Sequence, residues 1–175
     1  ILILVILFSF SSLQAQNFYS PLIIDIDGDY YVWKSLGSDL YPITNSGGYN
    51  RLPRLSPDNV YLGYSTLAPV AVDALRREGG FGGGGELPTD IHLLNIETEQ
   101  EMVIAAQPPD ASFFTEGTPD RYMVRGTPAW SPDSRLLVWA EYDERYEQQS
   151  IVIYDVATGA SSTITEVPFP GMSIP

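Results

Sequence analysis

The chain contains no cysteine, one histidine and one lysine. Without cysteine there are no disulfides, no thiolate catalysis and no cysteine-ligated zinc. With His92 alone there is no two-histidine metal site. A Ser-His-Asp triad would have to use His92, and no Gly-x-Ser-x-Gly nucleophile elbow occurs anywhere. Cations are also scarce: nine Lys and Arg stand against 22 Asp and Glu, a formal net charge of −13. Nucleic-acid backbones and anionic membranes need clustered cations, so the expected partners include neither. Amphipathic helical periodicity is nearly absent, which argues against a helical domain.

What the chain has is punctuation and repetition. Fourteen prolines and fifteen glycines separate short, β-rich apolar runs. The firmest predicted strands are Tyr30–Trp33, Val60–Tyr64, Ile91–Leu94, Leu136–Trp139 and Ile151–Tyr154. Two stretches follow one template. Pro53-Arg54-Leu55-Ser56-Pro57-Asp58-Asn59 leads into the Val60 strand, and Pro128-Ala129-Trp130-Ser131-Pro132-Asp133-Ser134 leads into the Leu136 strand. Proline presets φ for a turn corner, and Ser and Asp side chains bond nearby amides, so Asp58 and Asp133 read as turn formers.

A second hairpin follows each such strand. Ile151–Gly159 then Ser162–Thr165 is the clearest copy, Ile91–Glu99 then Met102–Ile104 an earlier one, and Tyr31–Gly37 then Leu40–Thr44 a third. Two hairpins make a four-stranded antiparallel unit, and stacked units of this kind make a β-propeller. The fold class expected is therefore all-β: a partial propeller across 16–175, with the second half of a blade at 22–44, a blade with insertions at 53–105, a blade at 128–165 and the start of the next connection at 166–175. About two and a half blades are legible, fewer than the roughly four to eight of closed rings. The expectation is a fragment of a longer protein.

Ile1 to Phe8 are all apolar, and Ser9 to Leu13 continue with small and apolar types before Gln14-Ala15-Gln16. This is the pattern of an apolar signal-peptide core with a small-residue cleavage site. Residues 1–15 are expected to be a truncated secretory signal, which puts the mature protein in the periplasm or outside the cell, without a stable membrane span.

The Trp130-Ser131-Pro132-Asp133 core, its Leu55-Ser56-Pro57-Asp58 counterpart and the Tyr154-Asp155 pair resemble the TolB-like, WD-repeat-like β-propeller family. The likeness covers about Ile23 to Pro175. Asn59 and Ser134 stand where the family's repeat has glycine, and Leu55 replaces its tryptophan. The resemblance implies fold rather than function, because such propellers serve as scaffolds, sensors and gates of peptidases.

Candidate chemistry is thin. Asp25-Ile26-Asp27-Gly28-Asp29 could offer carboxylates to calcium, but its glycine is out of EF-hand register and it reads as a polar turn. Gly80-Phe81-Gly82-Gly83-Gly84-Gly85 fits a dinucleotide pattern only formally, lacking the strand and helix that pattern requires, and reads as a flexible loop. Glu141–Glu147 reads as an acidic hairpin loop, and His92 as structural. No catalytic, cofactor or metal residue is assigned. Two insertions, Thr66–Thr89 and Gln107–Gly126, interrupt the middle unit and should leave from the same end of it. Arg76, Arg77, Phe81, Phe113, Phe114, Arg121 and Tyr122 are the expected ligand-binding residues there, with the phenylalanines and tyrosine supplying apolar contact area. The function expected is an exported, non-catalytic scaffold binding a protein, peptide or glycan. The alternative is the gating propeller of a prolyl-oligopeptidase-like serine peptidase whose catalytic domain lies further along.

Overall fold

The computed structural model describes residues 21–34, 37–79, 86–145 and 147–168. The expected leader and the run 80–85, with Phe81, lie outside them. Every described strand pairing is antiparallel. β1 (Leu22–Ile26), β2 (Asp29–Trp33) and β3 (Tyr41–Pro42) form the first sheet. β4 (Asn50–Leu55), β5 (Tyr61–Leu67), β6 (Thr89–Asn95) and β7 (Glu101–Ala105) form the second, in that order. In the third, β8 (Met123–Arg125) and β9 (Ala129–Trp130) both pair with β10 (Leu136–Asp143), followed by β11 (Gln148–Asp155) and β12 (Ala160–Pro168).

These are propeller-type blades, and each predicted strand falls within one of them. Segment 22–44 carries one strand more than the expected hairpin. The β-branched run before Asp25 supplies β1, and Asp27 and Gly28 make a two-residue turn to β2 with both φ positive (54° and 80°). That is the primed turn whose twist matches antiparallel strands.

The sheets stack face to face through two equivalent cores. Tyr30 and Val32 of the first pack on Leu62, Tyr64, Leu94 and Ile96 of the second. Ile91 and Leu93 of the second pack on Leu137, Trp139, Val152 and Tyr154 of the third. Alternate residues of β6 thus serve opposite neighbours, which is why that strand reads as continuously apolar. Each large apolar side chain so buried is worth about 1.5–3 kcal/mol. Approach is close enough that a β-carbon on Gly63 would lie 2.9 Å from Leu137 Cδ2.

The two Ser-Pro-Asp turns repeat bond for bond. Ser56 Oγ donates to Asp58 Oδ1 and accepts from Tyr61 N, while Asp58 Oδ1 accepts from Val60 N. Ser131, Asp133, Arg135 and Leu136 do the same. Asn59 and Ser134 both hold positive φ, 65° and 61°, where the resembled family has glycine. The turns also touch: Ser134 Oγ accepts from Asp58 N at 2.9 Å, and Trp130 Nε1 donates to Arg54 O at 2.8 Å.

One element was not foreseen. Pro69–Glu78 of the first insertion is a helix, α1, not a loop. Pro69 sits in its first turn, Gly79 ends it at φ 68° with its N–H on Leu75 O, and Arg76 and Arg77 occupy the last turn. Proline at the start, glycine just past the end and cations at the carbonyl terminus are the usual helix punctuation. Ten residues contain too few apolar periods to stand out, and the helix depends on burying Ala71 and Ala74 against its neighbours.

Candidate functional site

Chain direction sorts the connections into two ends. The Ser-Pro-Asp turns and the β6–β7 and β11–β12 turns lie at one, the turn end. Both insertions, the connection from β3 to β4 and the β10–β11 loop lie at the other, the loop end. There the two insertions fold together. Leu67, Ala71, Ala74, Phe113 and Tyr122 form a small buried core, with Tyr49, Val70, Val72, Leu75, Leu87 and Val124 around it. Phe113 meets Tyr122 edge-on with ring centroids 4.9 Å apart. Arg77 donates from Nη2 to the carbonyls of Phe113 and Phe114, bridging helix and loop.

Among the expected binding residues, Phe113 (3% exposed) and Tyr122 (8%) are therefore not contact area. Their rings face α1 and build the lobe, because the insertions must bury an apolar face of their own to stay folded. Phe114 is 52% exposed. Its φ of 49° is unusual for a bulky residue, and Asp120 Oδ1 holds its N–H at 2.9 Å. Arg76 reaches Asp73 at 3.8 Å on the exposed helix face. Arg121 forms an ion pair with Asp110. Beside that pair lies a cleft of about 260 Å³, lined by Asp110, Ser112, Thr118, Asp120, Arg121 and Arg145. Two of these lining residues, Ser112 and Arg121, are joined by an isolated antiparallel bridge. Glu144 N, donating to Tyr122 O, ties the β10–β11 loop to the same lobe.

Beneath the lobe are two polar clasps that sequence reasoning missed. Asp29 Oδ1 accepts from Ser46 N and Oγ and from Asn50 Nδ2, fixing the connection from the first blade to the second. Burial raises the Asp29 carboxyl, but the bonds from Ser46 and Thr44 outweigh it and hold the group below its ordinary value. In the next blade Gln107 donates to Asp90 Oδ1, and Arg125 stands 3.7 Å from it. Arg125 also bonds Glu141 Oε2 at 2.6 Å, Thr89 O at 2.7 Å and Ala106 O at 3.0 Å. Burial pushes the Asp90 carboxyl up, with Arg125 opposing. The signal was present: Asp29 and Asp90 stand 61 positions apart, as do Ser46 and Gln107, and Asn50 and Arg125 stand 75 apart, as do Ser56 and Ser131. Glu141 is thus strand and ion pair, not part of an acidic loop.

His92 Nδ1 lies 2.5 Å from Glu101 Oε1, which also accepts from the Tyr64 hydroxyl. The His92 bond, joined by the one from Tyr64, keeps the Glu101 carboxyl below its usual range despite burial. Asp25 caps the Asp27-Gly28 turn through Gly28 N. No group of three or more His, Asp or Glu placed to hold a metal occurs among the described residues. Nor, among them, is any helix long and apolar enough to cross a membrane.

No family model matches the sequence, and no curated protein matches it. Solved structures do match. An oligogalacturonate lyase from Vibrio parahaemolyticus is similar over 86% of this chain, with 16% identity and a TM-score of 0.52. TolB from Acinetobacter baumannii is similar over 83%, with 14% identity and a TM-score of 0.47. A dipeptidyl aminopeptidase IV from Bacteroides ovatus is similar over 86%, with 14% identity and a TM-score of 0.43. The likeness is one of fold. This chain spans 37% of the length of the first and 30% of the second.

Proposed function

We propose that the chain is part of an exported, non-catalytic propeller that captures a protein, peptide or glycan at its loop end. The observation that carries this reading is the lobe. Two insertions that interrupt the repeat leave from one end and share a core of their own. Closing the blades does not require them, since β10 and β11 are joined across only four residues where β5 and β6 are separated by the helix. Chain spent on an ordered lobe at one end, with an exposed aromatic on it, fits capture of a ligand. Export rests on the apolar run Ile1 to Phe8 and the small residues that follow it to Ala15.

The test replaces the β5–β6 insertion with the β10–β11 loop and shortens the segment between Gln107 and Met123. The variant and the intact chain are screened by biolayer interferometry against one panel of peptides and oligosaccharides. Binding confined to the intact chain is the expected result. Equal binding by both would place capture elsewhere. Mass spectrometry of the secreted product should find an N-terminus at or near Gln16, and an intact leader would overturn the export reading.

A further inference from the structure

We propose that a pocket shared by helix α1 and the β3–β4 connection seats one aliphatic side chain of a basic peptide; this rests on the loop-end capture reading and names its ligand. The pocket holds about 240 Å³. The helix contributes Pro69, Val72, Asp73 and Arg76, which stand at i, i+3, i+4 and i+7 and so share one face. Ser46 and Tyr49 of the connection and Thr66 and Leu67 of β5 complete the lining.

The two lining hydroxyls are already committed. Ser46 Oγ donates to Asp29 Oδ1 and accepts from Tyr49 N, and Thr66 Oγ1 donates to Tyr49 O. Each hydroxyl has one proton to give, so neither is left as a donor for a ligand. What remains is mostly carbon, from Tyr49, Leu67, Pro69 and Val72, with two charged groups, Asp73 and Arg76. A sugar ring would bring several hydroxyls to a lining with few partners for them. The site is also built before a ligand arrives. Tyr49 and Val72 are half-buried against the core of the lobe. Tyr49 O accepts from Leu67 N at 3.1 Å, and Asp29 holds Ser46 N at 2.6 Å. A preformed pocket lowers the ordering cost of binding.

Size and charge narrow the ligand. About 240 Å³ is below the usual 300–1,000 Å³ of a complete small-molecule site, so the pocket takes one side chain of a larger ligand. Arg76 and Asp73 are both exposed and stand 3.8 Å apart. Such a pair contributes little to folding, and its guanidinium keeps N–H groups to donate while its carboxylate keeps lone pairs to accept. A donor beside an acceptor suits the carbonyl and N–H of a peptide backbone flanking the seated side chain. The net charge of −13 attracts cations at long range, which selects basic residues on either side of it.

The experiment uses the intact chain with three probe sets: peptides Gly-Lys-X-Lys-Gly with X leucine, isoleucine or alanine, the same peptides with glutamate for lysine, and neutral trisaccharides. Saturation-transfer NMR and calorimetry read binding. Val72→Gln places an amide in the lining while keeping a good helix former, and Arg76→Ala changes only an exposed side chain; circular dichroism checks that both fold. Expected is binding of the lysine-flanked leucine or isoleucine peptide. Its affinity should fall by at least about tenfold when X is alanine and in Val72→Gln, and by about threefold in Arg76→Ala. Equal binding of leucine and alanine peptides, preference for glutamate flanks, or binding unchanged in Val72→Gln overturns the inference. Trisaccharide binding alone, lost when the β5–β6 insertion is replaced, overturns the peptide while leaving loop-end capture standing. No binding of any probe, or equal peptide binding after that replacement, overturns both.

Discussion

The two ends of the blades are built by opposite rules. At the turn end, Ser56–Tyr61 and Ser131–Leu136 make the same bonds, and Asn95 and Asp155 each accept from two amides of the following turn. At the loop end nothing is so closely copied. The first-to-second connection is clasped by Asp29 and Asn50, and the second-to-third by Asp90, Gln107 and Arg125 with a partner from β10. Equivalent positions thus carry a neutral amide in one clasp and a buried guanidinium in the other. One end repeats because a turn is a local problem with one good solution. The other diverges because each connection must reach a different neighbour, and above the second it must also support a lobe.

The sharpest way to break this contrast is Arg125→Ala. It would leave Glu141 and Asp90 without their cation and remove one donor each from the carbonyls of Thr89 and Ala106. A loss of about 3–5 kcal/mol is expected. Urea unfolding measures it, and a loss under about 1 kcal/mol would mean that the clasp does not hold the third blade to the second. Ser56→Ala comes next. It removes two bonds in a site only 1% exposed, and about 1–3 kcal/mol should go. Ser131→Ala removes the same bonds in a half-buried turn and should cost less. The reverse order in urea titrations would show that bond geometry, not burial, sets the value of the repeat.

A pH series tests the polar cluster of Tyr64, His92 and Glu101 within the second blade. The Glu101 carboxyl is held below its ordinary value of 4.5 in the folded chain by His92 and Tyr64. Its contribution is then present above the unfolded value and disappears as pH falls through the lower, folded one. Between neutral pH and about pH 3 the intact chain should lose more stability than Glu101→Gln does. Parallel stability profiles would show that Glu101 is not the linked group. The smallest effect concerns the paired turn residues. Asn59→Gly should stabilise by about 0.5–1 kcal/mol, since glycine adopts positive φ without cost. Ser134→Gly should be near neutral, because it also removes the oxygen that accepts from Asp58 N. Equal gains in thermal melts would show that this contact between turns is worthless.

Much of the molecule was legible in one sequence, and for a physical reason in each case. Ser-Pro-Asp announces its turn because proline, hydroxyl and carboxylate act within a few residues. β6 announces itself because both its faces are covered. Helix α1 was hidden because ten residues with Ala71 and Ala74 as their buried positions give no strong period. Phe113 and Tyr122 looked like contact residues because an aromatic in a long insertion reads the same whether it faces solvent or a helix. The cleft was invisible because Asp110 and Arg145, 35 positions apart, meet only through the third blade.

The amino-acid sequence by itself determined the all-β class, the repeating unit and the position of nearly every turn, since those depend on period and on bonds between near neighbours. Tertiary structure alone decided that two insertions become one lobe, that Phe114 rather than Phe113 faces outward, and that Arg125 sits buried between two carboxylates. Those outcomes depend on which elements meet across tens of residues, and the free energy of burial that fixes them exists only once the blades are stacked.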